Sequence, residues 1–176
     1  MILKLKRAPG IYLVGFMAAG KTTIGRLLAE HLGWHFIDLD EDIEAREKLT
    51  IAEIFDARGE AEFRKIESQA LAERVRAIER GAATVVALGG GAFAQEANFQ
   101  LVSDHGVAIW LDCPAEIAWR RVAATSHRPL ARDQVKFLEL YAARREFYSR
   151  ADGRVEITSD DPAPAVAAIL ALLKLT

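Results

Sequence analysis

The chain has one cysteine in 176 residues, Cys113, so no internal disulfide can form. That scarcity excludes the disulfide-stapled secreted scaffolds and points to a reducing compartment. Cys113 lies in an apolar stretch and reads as a small core residue. No apolar run approaches the length of a membrane span. Lys4, Lys6 and Arg7 are followed only by a short apolar run from Ile11 that ends in a glycine loop, so a strand is expected there and a signal peptide is not. The chain is expected to be soluble and cytoplasmic. Charge of one sign is also missing: 23 Lys and Arg stand against 25 Asp and Glu, a net charge of −2. This excludes general attraction to nucleic acid or to an anionic membrane. His31, His35, His105 and His127 lack metal-ligand spacing and read as structural or exposed. There is no internal repeat and no low-complexity tract. With half its residues hydrophobic, a chain of this length is expected to form one domain, 1–176, with a sizeable core.

What is present is concentrated in residues 15 to 22, Gly-Phe-Met-Ala-Ala-Gly-Lys-Thr. This is G-x-x-x-x-G-K-[ST], the phosphate-binding loop of nucleoside-triphosphate enzymes. The flanks are those the motif needs. Ile11 to Val14 is apolar and β-prone, and Thr23 to Leu32 carries apolar residues at helical spacing. Gly15 and Gly20 permit torsions that a β-carbon would forbid. Backbone N–H groups of the loop, with Ala18, Ala19, Gly20 and Thr23, can then meet phosphate oxygens at the positive end of a helix. Lys21 supplies charge to the β- and γ-phosphates, and the Thr22 hydroxyl can reach Mg²⁺.

Strand and helix patterns alternate along the chain. Strands are expected at 11–14, 35–38, 85–88, 107–111 and 154–157, and helices near 21–32, 60–80, 95–103, 115–124, 133–148 and 163–173. Apolar strands separated by helices imply a mostly parallel sheet covered on both faces. Right-handed crossovers bring the strand carboxyl ends, and with them the active site, to one edge. Residues 124–133, polar and containing Pro129, read as a loop over that edge.

Other chemistry-bearing residues fall on the same edge. Asp38 and Asp40, read as alternating residues of an extended segment, place two carboxylates on one side. One is suited to a water of the Mg²⁺ shell and the other to taking a proton from an attacking hydroxyl; which does which is open. Arg64 alone reads as a surface charge paired with Glu60 or Glu67. Gly89, Gly90 and Gly91 contribute no packing and make sense where backbone must approach a ligand closely. Arg128, held extended by Pro129, and Arg121 bracket the proposed flap. Arg144 and Arg145 are adjacent, and one of them is expected to face inward. The sole asparagine, Asn98, is followed by Phe99, so the guanine-reading Asn-Lys-x-Asp of GTP switches is absent.

Taken together these residues resemble the shikimate kinase family. The resemblance runs from Gly15 to about Pro162. It covers the phosphate loop through Gly25, Asp38-Leu39-Asp40, Ile51-Ala52-Glu53-Ile54-Phe55, Gly59-Glu60, Phe63-Arg64-x-x-Glu67, Leu88-Gly89-Gly90-Gly91-Ala92, Arg128-Pro129-Leu130, Arg144 four before Tyr148, and Thr158-x-Asp160-x-Pro162. It implies an α/β fold of the nucleoside-monophosphate-kinase type, a three-layer sandwich on a five-stranded parallel sheet. It also implies transfer of the ATP γ-phosphoryl to the 3-hydroxyl of shikimate, with Mg²⁺, in aromatic amino-acid biosynthesis; a monomer is expected. Under it, Asp40 binds the ring hydroxyls, Arg64 and Arg144 clamp the carboxylate, and the glycine run at 89–91 contacts the substrate. Arg128 is the lid arginine, Arg121 lies near the adenine, Thr22 ligates Mg²⁺ and Asp38 supports it through water. Residues 40–80 form the substrate-binding helical segment. Three features depart from the family pattern: Ala18 replaces an inner glycine, the stretch from Arg128 to Arg144 is short, and Glu146 stands where proline is usual. The last leaves Arg145 as a rival to Arg144. A gluconate kinase is the alternative, since its substrate also carries a carboxylate and hydroxyls.

Overall fold

A computed structural model describes residues 10–125 and 133–174. Five strands form one parallel sheet: β1 (Gly10–Val14), β2 (His35–Asp38), β3 (Thr84–Ala87), β4 (Val107–Asp112) and β5 (Gly153–Glu156), in the order β2-β3-β1-β4-β5. Every residue of β1, β3 and β4 is buried. Strands covered on both faces cannot alternate polar and apolar residues, which is why these three read as unbroken hydrophobic runs. The edge strands β2 and β5 are partly exposed and their sequences are correspondingly mixed.

The helices are α1 (Lys21–Leu32), α2 (Leu39–Glu47), α3 (Ile51–Glu79), α4 (Glu96–His105), α5 (Ala115–Ala123), α6 (Gln134–Tyr148) and α7 (Ala163–Leu173), with a 3₁₀ turn at Ala92–Ala94. α1 packs on β2, β3 and α7, while α3 packs on α4, which lies against β4. Right-handed crossovers put these two groups on opposite faces, giving three α/β/α layers. The core between them includes Leu13, Leu28, Leu71, Ile109 and Ile169, all with no exposed surface. Truncating any one of them to alanine costs about 2–5 kcal/mol.

Two local readings need correction. The segment Asp38-Leu39-Asp40 is not extended. β2 ends at Asp38, whose carboxylate caps α2 by accepting from Asp40 N at 3.0 Å and Glu41 N at 3.2 Å. Asp40, Glu41 and Asp42 fill the first turn, where the helix dipole favours acids. The two carboxylates are therefore brought to the sheet edge by the start of a helix, not by strand alternation. The helix expected over 60–80 is also only the second half of α3. Its first half begins at Ile51 behind a Thr50–Glu53 capping box, and the two halves meet at Gly59, whose φ of 80° and ψ of 168° break the helix.

β1 lies between β3 and β4, and its following helix covers the opposite face from the helix that leads into β4. The crevice at the carboxyl end of β1 is the switch point where ligands bind in open α/β sheets. α1 starts there from Gly20, at φ 91°, with no side-chain cap, so its first-turn N–H groups are not taken by a capping side chain.

Candidate active site

The loop between β1 and α1 is wound tightly. Ala19 N donates to Phe16 O at 3.2 Å, and Ala18 adopts φ 62°, a torsion that favours glycine. Arg121 of α5 holds that strained residue in place by donating from Nη1 to Ala18 O at 2.8 Å. The same guanidinium binds Asp160 at 2.9 Å and Ser159 O at 3.2 Å. Lys21 Nζ donates to Gly15 O at 2.8 Å and Phe16 O at 3.0 Å, so its charge sits within the loop. Ala18, Ala19, Gly20, Thr23 and Arg121 all line one cavity of about 320 Å³, closed on the far side by the segment from Glu156 to Pro162. Of the residues expected at the nucleotide, these five share the cavity; Lys21 and Thr22 do not line it, and Arg128 lies outside the described residues. Thr125 joins them without having been expected, and Asp160, known beforehand only as part of a motif, proves to be the partner of Arg121.

Behind the loop, Thr22 Oγ1 donates to Asp38 Oδ2 at 2.5 Å. Asp38 Oδ1 is occupied by the α2 amides. A hydroxyl and a carboxylate side by side are hard oxygen donors of the kind Mg²⁺ takes, and that ion keeps most of its shell as water and phosphate. Among the described residues no cluster of three or more His, Cys, Asp or Glu could hold a metal ion by itself.

A second cavity, of about 270 Å³, is lined by every residue expected to bind the acceptor: Asp40, Arg64, Gly89, Gly90, Gly91 and Arg144. Phe16, Met17, Phe55, Phe63 and Leu140 supply its apolar wall. Arg64 is not a surface charge. Its side chain is 16% exposed and pairs at 2.8 Å with Glu67, which is 1% exposed. A helical i,i+3 pair can lie on either face; here Phe63 beside it is buried and turns this stripe inward. Arg64 Nε is buried without a hydrogen-bond partner. Burial raises the Glu67 pKa, with Arg64 pulling the other way.

The glycine run has a specific reason. A Cβ on Gly91 would stand 2.6 Å from Arg144 Nη1 and closer still to Arg64 Nη2. The two guanidiniums therefore converge over a backbone that carries no side chain. A Cβ on Gly89 would stand 2.8 Å from Asp40 Oδ1. At Gly90 a Cβ would meet Tyr148 Oη at 3.7 Å and Met17 N at 4.0 Å, both ordinary contacts. Tyr148, not foreseen as a site residue, donates to Gly90 O at 2.6 Å and pins the run.

The adjacent arginines have different surroundings. Arg144 lines the second cavity. Arg145 points elsewhere, binding Asp112 at 2.6 Å. Successive helical side chains project about 100° apart, so both cannot face one pocket. Cys113 is buried, as expected of a core residue, and burial raises its thiol pKa. Arg128, Pro129 and most of the proposed flap at 124–133 lie outside the described residues.

Asp40 lines the second cavity. Burial raises its carboxyl pKa and neighbouring Asp38 adds to the effect, while Lys21 and Arg64 oppose it. A phosphate loop at the switch point, with one cavity beside it and an acid-and-arginine cavity on the other side, defines a P-loop phosphotransferase with the nucleoside-monophosphate-kinase fold. The comparisons with known proteins narrow this class. The family model for shikimate kinase matches residues 17–174. The shikimate kinase of Ruegeria pomeroyi is 44% identical over 145 residues, covering 81% of this chain and 72% of that protein. That of Persephonella marina is 39% identical over 168 residues, covering 93% and 98%. The solved structure of the Acinetobacter baumannii shikimate kinase in complex with shikimate superposes with a TM-score of 0.87 at 36% identity, over 96% of each chain. The chain belongs to the shikimate kinase family.

Proposed function

We propose that this chain transfers the γ-phosphoryl group of ATP to the 3-hydroxyl of shikimate, giving shikimate 3-phosphate and ADP, as a step of aromatic amino-acid biosynthesis. The observation that carries the reading is the convergence of the Arg64 and Arg144 guanidiniums over Gly91, in a cavity that also contains Asp40. Two planar forks suit a carboxylate better than point charges do. The wall of Phe55, Phe63, Met17 and Leu140 suits a carbocycle and offers nothing to the hydroxyls of an open-chain polyol, which favours shikimate over gluconate. Among the described residues no helix is long and apolar enough to cross a membrane.

In this reading the base and ribose lie between Arg121 and the segment up to Pro162, and the loop amides with Lys21 hold the phosphates. Thr22 would ligate Mg²⁺ directly and Asp38 through water; the ion's contribution is to neutralise charge on the phosphates. The proposed general base is Asp40. Asp38 has both carboxylate oxygens engaged, by Thr22 and by two amides, whereas the raised pKa of Asp40 makes it the better proton acceptor. The acceptor oxygen forms its bond to phosphorus as the bond to ADP breaks, and the hydroxyl proton passes to Asp40. Arg128, outside the described residues, is assigned the phosphates by sequence alone.

A coupled ADP assay across shikimate, gluconate, quinate and nucleoside monophosphates tests the assignment. Shikimate is expected to give the highest kcat/KM, and gluconate overtaking it would end the proposal. Two variant sets test the clamp. Arg144→Ala is expected to weaken shikimate binding by about 2–5 kcal/mol with ATP binding unaltered. Arg64→Ala should weaken it similarly and also lower stability by about 3–5 kcal/mol, because it strands buried Glu67; titration calorimetry and thermal melts separate the two effects. Gly91→Ala is expected to fold, since the atoms it meets are the ends of flexible side chains, but to push both guanidiniums aside. Its shikimate KM should rise about tenfold or more. Gly90→Ala should change KM by less than about threefold, its Cβ meeting only ordinary contacts. Equal KM values for the two glycine variants would contradict the crowding argument.

A further inference from the structure

The mechanism leaves one buried acid at the site edge unused. Asp112, the last residue of β4, is 5% exposed and receives two guanidiniums. Arg145 of α6 binds both of its oxygens, Nη1 to Oδ1 at 2.6 Å and Nη2 to Oδ2 at 3.2 Å. Arg154 of β5 donates from Nε to Oδ2 at 2.8 Å. The same two guanidiniums lie over Trp110, at 4.8 and 5.1 Å from the ring centroid. One turn earlier on α6, Tyr141 donates to Cys113 O at 2.8 Å and accepts from Arg145 Nη1 at 2.9 Å.

α6 therefore carries two working stripes. Residues 141 and 145, four apart, fasten the helix to the carboxyl end of β4. Residues 144 and 148, also four apart, face the glycine run: Arg144 beside Gly91, and Tyr148 on Gly90 O. Corresponding members of the two stripes are three residues apart, or about 60° around the helix. Fixing one fixes the rotation of the other. A fork-to-carboxylate contact depends on that rotation, because displacement of a positioning group by about 1 Å can cost up to roughly 10²-fold.

We infer that Asp112 is a positioning residue for the acceptor clamp: by holding Arg145 it sets the rotation of α6 and so the place of the Arg144 guanidinium. This rests on the reading that Arg144 holds the shikimate carboxylate. An ion pair that only stabilised the fold would act differently. Losing it would lower the folded fraction, and with it the apparent kcat, and would leave both KM values alone. Arg145 and Arg154 reach solvent, so neutralising Asp112 does not strand a fully buried charge.

The test uses the full chain as Asp112→Asn, Arg145→Gln and the double variant, with thermal melts and steady-state kinetics in both substrates. Each single variant is expected to raise the shikimate KM about tenfold, with the ATP KM within about twofold. The double variant should be no worse than the worse single one, since both cut the same contact. Arg145→Lys, which keeps the charge but not the fork, should fall between Arg145→Gln and the parent chain. Should Asp112→Asn fail to fold, Arg145→Gln reads the same contact from its partly exposed side. An unchanged shikimate KM in folded Arg145→Gln overturns the inference. If Arg144→Ala raises that KM while Arg145→Gln does not, the inference falls and the clamp stands. If neither raises it, the clamp reading falls as well.

Discussion

Lys21→Ala is expected to lower kcat about 10²–10³-fold, the usual loss when one preorganised charge is removed from a developing anion. Shikimate affinity should stay within about twofold, because the acceptor cavity does not include Lys21. Phosphoryl transfer asks little covalent work of a protein; it needs charge placed where the three equatorial oxygens will be. Lys21 begins α1, at the positive end of the helix dipole, and its ammonium is already oriented by the carbonyls of Gly15 and Phe16. Removing the ammonium also releases those two carbonyls from their tether, so a modest rise in the ATP KM should accompany the fall in kcat. Pre-steady-state quench flow would separate the chemical step from binding. A variant with near-parental kcat would show that the loop does not hold the transferring phosphates.

How much of this was legible in the sequence depends on what each signal encodes. The central strands were readable because burial on both faces forces continuous apolar runs, as in Val85-Val86-Ala87. The phosphate loop was readable because its chemistry is local: glycines, lysine and hydroxyl act within eight consecutive residues. Helix α2 was not, because its signal is a cap and an acidic first turn, and no apolar period runs through a helix with only Leu39 and Ile43 buried. Arg64 illustrates a different limit. An Arg–Glu pair at helical spacing looks the same whether it faces water or a cavity, and only the packing of Phe63 and the glycine backbone opposite decides. The resemblance proposed a role for Arg64, and the structure places its side chain at the second cavity. Arg144 and Arg145 could not be separated from sequence, since the residue that claims Arg145 is Asp112, 33 positions away. Tyr148 and Asp160 act through long-range contacts of the same kind, to Gly90 and Arg121.

Asp40→Asn is expected to cost about 10²–10⁴ in kcat, the range for losing a general base, and at the same time to raise the melting temperature near neutral pH. The second effect follows from the direction of the pKa shift. Burial, and after it the nearby Asp38 charge, raise the Asp40 carboxyl pKa in the folded chain despite Lys21 and Arg64. In the unfolded chain the group titrates near its ordinary value of about 3.9. Between that value and the raised one, the folded state binds more protons than the unfolded state. Stability therefore falls as pH climbs through this window, and above it the whole penalty is present. The asparagine cannot ionise and does not carry the penalty. Its advantage in melting temperature should grow as pH rises above the ordinary carboxylate value and should vanish as pH drops below it, where Asp40 is protonated in both states. For the same reason the acid limb of the parental kcat/KM profile should lie above the pH at which a free aspartate titrates, and that limb should be absent from the residual activity of the variant. Melting curves from pH 3 to 8 and pH–rate profiles on both proteins test the two halves independently. A parental kcat would remove Asp40 from the chemistry, and a lower melting temperature at pH 7 would show that its charge is compensated in the fold. A slower and sturdier enzyme is the joint outcome expected when a buried carboxylate is kept charged for function at the expense of stability.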